Sequence, residues 1–136
     1  MKFVCLRADM NIQEIDEDSD KENEQTISEE ELDSILERET RPIVLKFGAS
    51  WCGPCVQATP PFKDLITKMN GDLVIVGIDR DDDDADTLFN RYNVQSMPTF
   101  IVVKNNIERF RTRTVHELST KIREIVSPVF TTSEEF

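Results

Sequence analysis

The amino-acid sequence predicts an α/β domain with a central mixed β-sheet flanked by helices on both faces. Three observations carry that expectation. The apolar, β-branched runs PIVLKFGA (42–49), DLVIVGID (72–79) and PTFIVVK (98–104) have the composition of buried strands. A long helical stretch joins the first two, which makes a βαβ crossover and a parallel pair. The third is followed, after Asn105–Asn106, by IERFRTR, which makes an antiparallel hairpin.

Taken in chain order, the first apolar run is Phe3–Leu6. Its residues leave open whether it docks on a sheet edge as a strand or forms a loose end. QEIDEDSDKENE (13–24) is acidic and nearly free of apolar groups, the composition of a solvated linker. Residues 1–24 are therefore read as an acidic extension, 25–127 as the folded domain and 128–136 as a polar tail. Residues around Thr26–Ile27 are candidates for one more edge strand. SEEELDSILERET opens with Ser28 and Glu31 at capping-box spacing, and Leu32, Ile35 and Leu36 share one helical face. The helix after WCGPC contains Pro60, which is expected to kink it. DDDDADTLFNRYN reads as a helix whose acidic start suits the helix dipole. A second capping box, Thr114 with Glu117, opens the last helix. Val115, Leu118, Ile122, Ile125 and Val126 line its inner face, and Pro128 stops it.

The length suits one domain with a core that needs no disulfide staples. With 16 Lys and Arg against 27 Asp and Glu, the net charge is −11. That balance argues against nucleic acid and anionic membranes, and favours basic clients or basic docking patches on partners. No segment is long enough to span a bilayer. The four-residue run at the amino end is far short of a secretory apolar region, so a cytoplasmic location is expected, where thiols stay reduced.

Two of the three cysteines, Cys52 and Cys55, stand at CxxC spacing between a predicted buried strand and a helix. Cys52 falls at the start of that helix, where backbone N–H groups and the dipole favour a thiolate. Cys55, one turn on, presents its sulfur on the same face. Cys52 can attack a target disulfide and Cys55 can resolve the mixed disulfide. Gly53 and Pro54 keep the turn tight, and Pro54 sits in the first turn, where its missing N–H is not needed. The competing zinc reading lacks ligands: only Cys5 and His116 remain, in no ligand pair, so no metal is expected.

WCGPC (51–55), SMPTF (96–100) and Pro60 together resemble the thioredoxin family over about residues 25–127. The resemblance implies the thioredoxin fold and a dithiol–disulfide oxidoreductase recharged by a flavin- and NADPH-dependent thioredoxin reductase. It implies Cys52 as nucleophile and Cys55 as resolving thiol, with no cofactor beyond their redox-active disulfide. It also implies a cis peptide bond before Pro98, Met97 and Pro98 beside the disulfide, and the Met97 backbone pairing with the client. Trp51, Gly53 and Pro54 complete the expected docking surface. Disulfide-containing client proteins are the expected partners, and the protein is expected to be a monomer.

The sequence departs from the family pattern at five places. Lys46 stands where the family keeps a buried aspartate, and Gly77 where it keeps the partner lysine. Lys46 either snorkels to water or, partly desolvated, assists Cys55 as a cation or proton acceptor. Gly48 replaces a residue that is often aromatic, and Asn106 the usual turn glycine. Arg113 or Thr114 replaces a glycine near the substrate groove, which alters the groove's shape and charge. Asp79, Asp81 and Asp83 alternate as in an EF-hand, but Asp84 and Asn90 occupy the positions of its glycine and final glutamate. Cys5 reads as a buried or free thiol and His116 as a surface residue. The expected function is reduction of client disulfides. The alternatives are a disulfide oxidase or isomerase, and a binding module whose thiols are incidental.

Overall fold

The computed structural model describes residues 2–5, 24–26, 28–69, 73–83 and 85–126. Six strands form one sheet: β1 (Lys2–Cys5), β2 (Glu24–Thr26), β3 (Ile43–Gly48), β4 (Val74–Asp79), β5 (Thr99–Lys104) and β6 (Ile107–Thr112). Their order is β2-β1-β4-β3-β5-β6. β3 and β4 are parallel, and every other neighbouring pair is antiparallel. The apolar run that begins at Phe3 is thus, as far as Cys5, an edge-side strand, β1, lying on β4 with Lys2 opposite Gly77 and Cys5 opposite Val74, and Leu6 lies outside the described residues. β2 adds outside it. Residues 6–23, which hold most of the acidic stretch, and the tail 128–136 lie outside the described residues.

Among the described residues, four helices cover the sheet: α1 (Glu29–Arg38), α2 (Gly53–Met69), α3 (Ala85–Arg91) and α4 (Val115–Val126). The period-2 alternation of β3 sorts its side chains between two cores. Ile43, Leu45 and Phe47 pack with Leu32, Ile35 and Leu36 of α1 and Leu88 and Phe89 of α3. Val44, on the opposite face, joins Phe100, Phe62 and Leu65 of α2, and Leu118 and Ile122 of α4. Rings lock both cores: Phe47 meets Phe89 edge-on at 5.1 Å, and Phe62 stacks on Phe100 at 5.3 Å.

The capping box at α1 forms in full. The Glu31 N–H donates to Ser28 Oγ at 3.1 Å, and the Ser28 N–H donates to Glu31 Oε1 at 2.8 Å. The Asn105–Asn106 turn has positive φ at both residues, 55° and 63°, as the tight hairpin turn requires. α2 runs as α-helix through Pro60 and Pro61 to Met69. Two elements differ from expectation. α3 starts at Ala85, so Asp81–Asp83 form a turn ahead of it rather than its first turn. The reason is side-chain competition: Asp79 Oδ1 accepts the Asp81 N–H at 2.8 Å, and Asp82 Oδ2 accepts the Asp79 N–H at 3.3 Å. At α4, Thr114 Oγ1 accepts the Glu117 N–H at 3.2 Å, but Glu117's carboxylate takes the Thr112 hydroxyl instead of closing the box.

Candidate active site

The topology gathers four chain segments at one end of the sheet. Gly48 ends β3 opposite Asp79 at the end of β4. Antiparallel pairing brings the start of β5 and the end of β6 to the same end, with Phe47 opposite Thr99 and Phe100 opposite Thr112. Cys52, the loop after β4, Met97–Pro98 and Arg113 therefore stand side by side.

Cys52 caps α2 directly. Its carbonyl accepts the Val56 N–H at 3.0 Å, and its Sγ accepts the Cys55 N–H at 3.3 Å. The Cys55 N–H is one of the helix-terminal donors that favour a sulfur anion. Cys52 and Cys55 are joined as a disulfide with Cα atoms 5.2 Å apart. The two cysteines cluster with Ala49 and Met97, and Cys52, at 9% exposure against 4%, is the less buried of the pair. Met97–Pro98 is a cis peptide bond. Gly53 and Pro54 are exposed in the first turn of α2, and Trp51 is 62% exposed. Of the residues expected to dock a client, Trp51, Gly53 and Pro54 are thus exposed beside the disulfide, Met97 is half-buried against it, and Pro98 is buried. Beside Met97 opens a cleft of about 240 Å³, walled by Phe89, Val94, Ser96 and the Arg80–Asp86 ion pair.

Lys46 lies on the α2 side of β3, opposite Gly77, as the alternation required. Its Nζ sits 5.0 Å from the Phe62 ring centroid, and no described carboxylate pairs with it. Burial pushes its pKa below the usual lysine value, and Lys63 adds repulsion. Phe62 stands about two turns along α2 from Cys55. The strand residue that approaches Cys55 is Gly48, where a Cβ would meet Cys55 Sγ at 3.2 Å. Two contacts were missed in the sequence. The Trp51 indole donates to both oxygens of Asp81, at 3.0 and 3.2 Å. Arg113 Nη2 donates to the Met97 carbonyl at 3.3 Å. Each joins loops far apart in the chain, and no local pattern announces such a contact. No cluster of three or more His, Cys, Asp or Glu suited to a metal occurs among the described residues.

A CxxC pair that forms a disulfide at a helix N-terminus, on the sheet end of this α/β fold, defines a dithiol–disulfide oxidoreductase. The chain belongs to the thioredoxin family, whose family model, described as Thioredoxin, matches residues 23–126. It is similar to thioredoxin-1 of Caenorhabditis elegans, at 39% identity over 68% of this chain and 80% of that one. It is also 34% identical to chloroplastic thioredoxin Y of Oryza sativa subsp. japonica, over 54% of this chain and 43% of the relative's length. The match thus spans under half of that longer protein. Among solved structures, oxidised thioredoxin O2 of Arabidopsis thaliana superposes with a TM-score of 0.64 at 26% identity, over 74% of this chain and 90% of that one.

Proposed function

We propose that the protein reduces disulfides in client proteins, cycling Cys52–Cys55 between dithiol and disulfide. The carrying observation is the Cys55 N–H aimed at Cys52 Sγ at the head of α2. In the reduced form that donor and the helix N-terminus support a Cys52 thiolate. The thiolate attacks one sulfur of the client disulfide, forms a mixed disulfide and expels the other client sulfur as a thiolate. Cys55, deprotonated, then attacks Cys52 Sγ. This closes the Cys52–Cys55 disulfide and releases the second client thiol, so two electrons pass to the client. The electrons are carried by the cysteine pair itself, and a thioredoxin reductase restores the dithiol. Trp51, Gly53, Pro54, Met97 and Pro98 receive the client chain. A reducing, cytoplasmic setting and a monomeric state complete the reading.

Lys46 takes part as a charge on the same sheet face as Cys55, favouring the Cys55 thiolate during resolution through the partly desolvated space under α2. Replacement by Met is expected to slow resolution of a trapped mixed disulfide.

The deciding experiment is insulin reduction with and without a thioredoxin reductase. The wild-type chain is expected to turn over, Cys52→Ser to be inactive, and Cys55→Ser to accumulate mixed disulfide. Activity that survives Cys52→Ser would remove this reading. No helix among the described residues is long and apolar enough to cross a membrane. Size-exclusion chromatography tests the oligomeric state, and cell fractionation the location.

A further inference from the structure

The rim of the disulfide is electrically lopsided. On the β4 side lie Asp79, Asp81, Asp82 and Asp83, with Asp81 fixed on Trp51. On the β6 side, three strand positions across at about 4.8 Å each, lies Arg113. Arg41, Arg80, Arg91 and Arg111 each hold a carboxylate. Arg113, like Arg38, Arg109 and Arg123, has no carboxylate pairing it among the described residues; it is exposed, and what sets it apart is its hydrogen bond to the Met97 carbonyl. Met97 in turn touches the disulfide. One of five guanidinium N–H groups meets that carbonyl, so the others remain available for an incoming carboxylate. The carbonyl keeps its second lone pair for a client N–H.

We propose that Arg113 is a specificity residue that reads an acidic side chain next to the target cysteine of an extended client segment laid along Met97. The acidic side chain faces β6, and the acidic loop after β4 rejects the reversed arrangement. This rests on the reductase reading. It gives a protein of net charge −11 a local preference opposite to its overall field.

The test uses the full chain, reduced beforehand, and peptides that carry one disulfide. Each peptide has Glu, Gln or Lys beside the cysteine, placed on either side in turn. Second-order reduction rates are compared for wild type, Arg113→Gln and Arg113→Glu, at low ionic strength and in high salt. Because the overall field acts on all variants, the Glu-to-Lys rate ratio is the readout. On one side of the cysteine, that ratio is expected to fall about fivefold from wild type to Arg113→Glu, with Arg113→Gln between them. High salt should compress the spread. The same ratio in all three proteins overturns the proposal and leaves the reductase reading standing. No reduction of the Gln peptide by the wild-type chain overturns both.

Discussion

Lys46 shows how one side chain carries both a mechanistic and an energetic consequence. Its ammonium is held against Phe62, and burial, with Lys63 repulsion second, lowers its pKa from the ordinary 10.5. The folded state therefore holds the proton less tightly than the unfolded chain, which keeps it up to the ordinary pKa. Between the two pKa values the unfolded state binds more protons, so stability rises with pH through that window. Below it the cost of burying the charge is fully present. Lys46→Met, close in shape and uncharged, is expected to raise the thermal midpoint at neutral pH by a few degrees, a change of about 1 kcal/mol. The gap between variant and wild type should close as pH approaches the ordinary lysine value, and thermal melts across that range measure it. A variant less stable than wild type at neutral pH would mean that the cation–ring contact outweighs desolvation. The position of Lys46 was legible because strand alternation and the count back from Trp51 fixed its face. Its contact with Phe62 was not, since a flexible four-carbon stem can end in several places.

At the scale of elements, the caps decide where helices begin, and α4 has an unusual one. Thr112, at the end of β6 and buried, donates its hydroxyl to Glu117 and accepts the Thr114 N–H at 3.2 Å. A single hydroxyl thus joins strand, turn and helix. Thr112→Val keeps the shape but removes both bonds and leaves the Thr114 N–H and the Glu117 carboxylate short of a partner. It is expected to cost about 1–2 kcal/mol, more than Thr114→Ala, in denaturant titrations. Equal costs would show that the Thr112 bridge adds nothing to the ordinary cap. The pattern S/T-x-x-E is legible at the start of both α1 and α4, and α1 obeys it in full. α4 does not, because a second hydroxyl sits within reach across the turn. The same kind of competition displaced the start of α3: the aspartate run suits a helix N-terminus, but carboxylates two and three residues apart also satisfy turn amides. Strands β3, β4 and β5 were legible because strands buried on both faces are apolar along nearly their whole length, Lys46 being the charged exception in β3. Edge-side β1 was not decided, because four apolar residues bounded by polar chain fit a strand and a loose end equally.

Across the whole molecule, charge rather than core governs the response to acid. The two cores are continuous and apolar, so their contribution changes little with pH. The net charge of −11 is self-repulsive and lessens as carboxylates begin to protonate. Against that relief stand carboxylates whose pKa is lowered by guanidinium hydrogen bonds: Glu39 by Arg41 and Glu108 by Arg111. A depressed carboxylate pKa stabilises the fold fully above the ordinary value of 4.5, and that stability is lost as pH falls through the folded pKa. The two effects occupy different windows. Relief of repulsion begins while Glu39 and Glu108 are still ionised, so the thermal midpoint is expected to hold or rise from neutral pH down toward the carboxylate range. It should then drop once pH passes below that range. Glu39→Gln with Glu108→Gln is expected to lower the midpoint modestly at neutral pH and to flatten the acid limb, because a half-buried pair, Glu39–Arg41, and an exposed one, Glu108–Arg111, are each worth little. Added salt should raise the wild-type midpoint at neutral pH by screening the excess negative charge. Circular-dichroism melts of both proteins from neutral to acid pH, at two salt concentrations, measure all of this. An acid limb equally steep in the double variant would place the lost stability in other carboxylates.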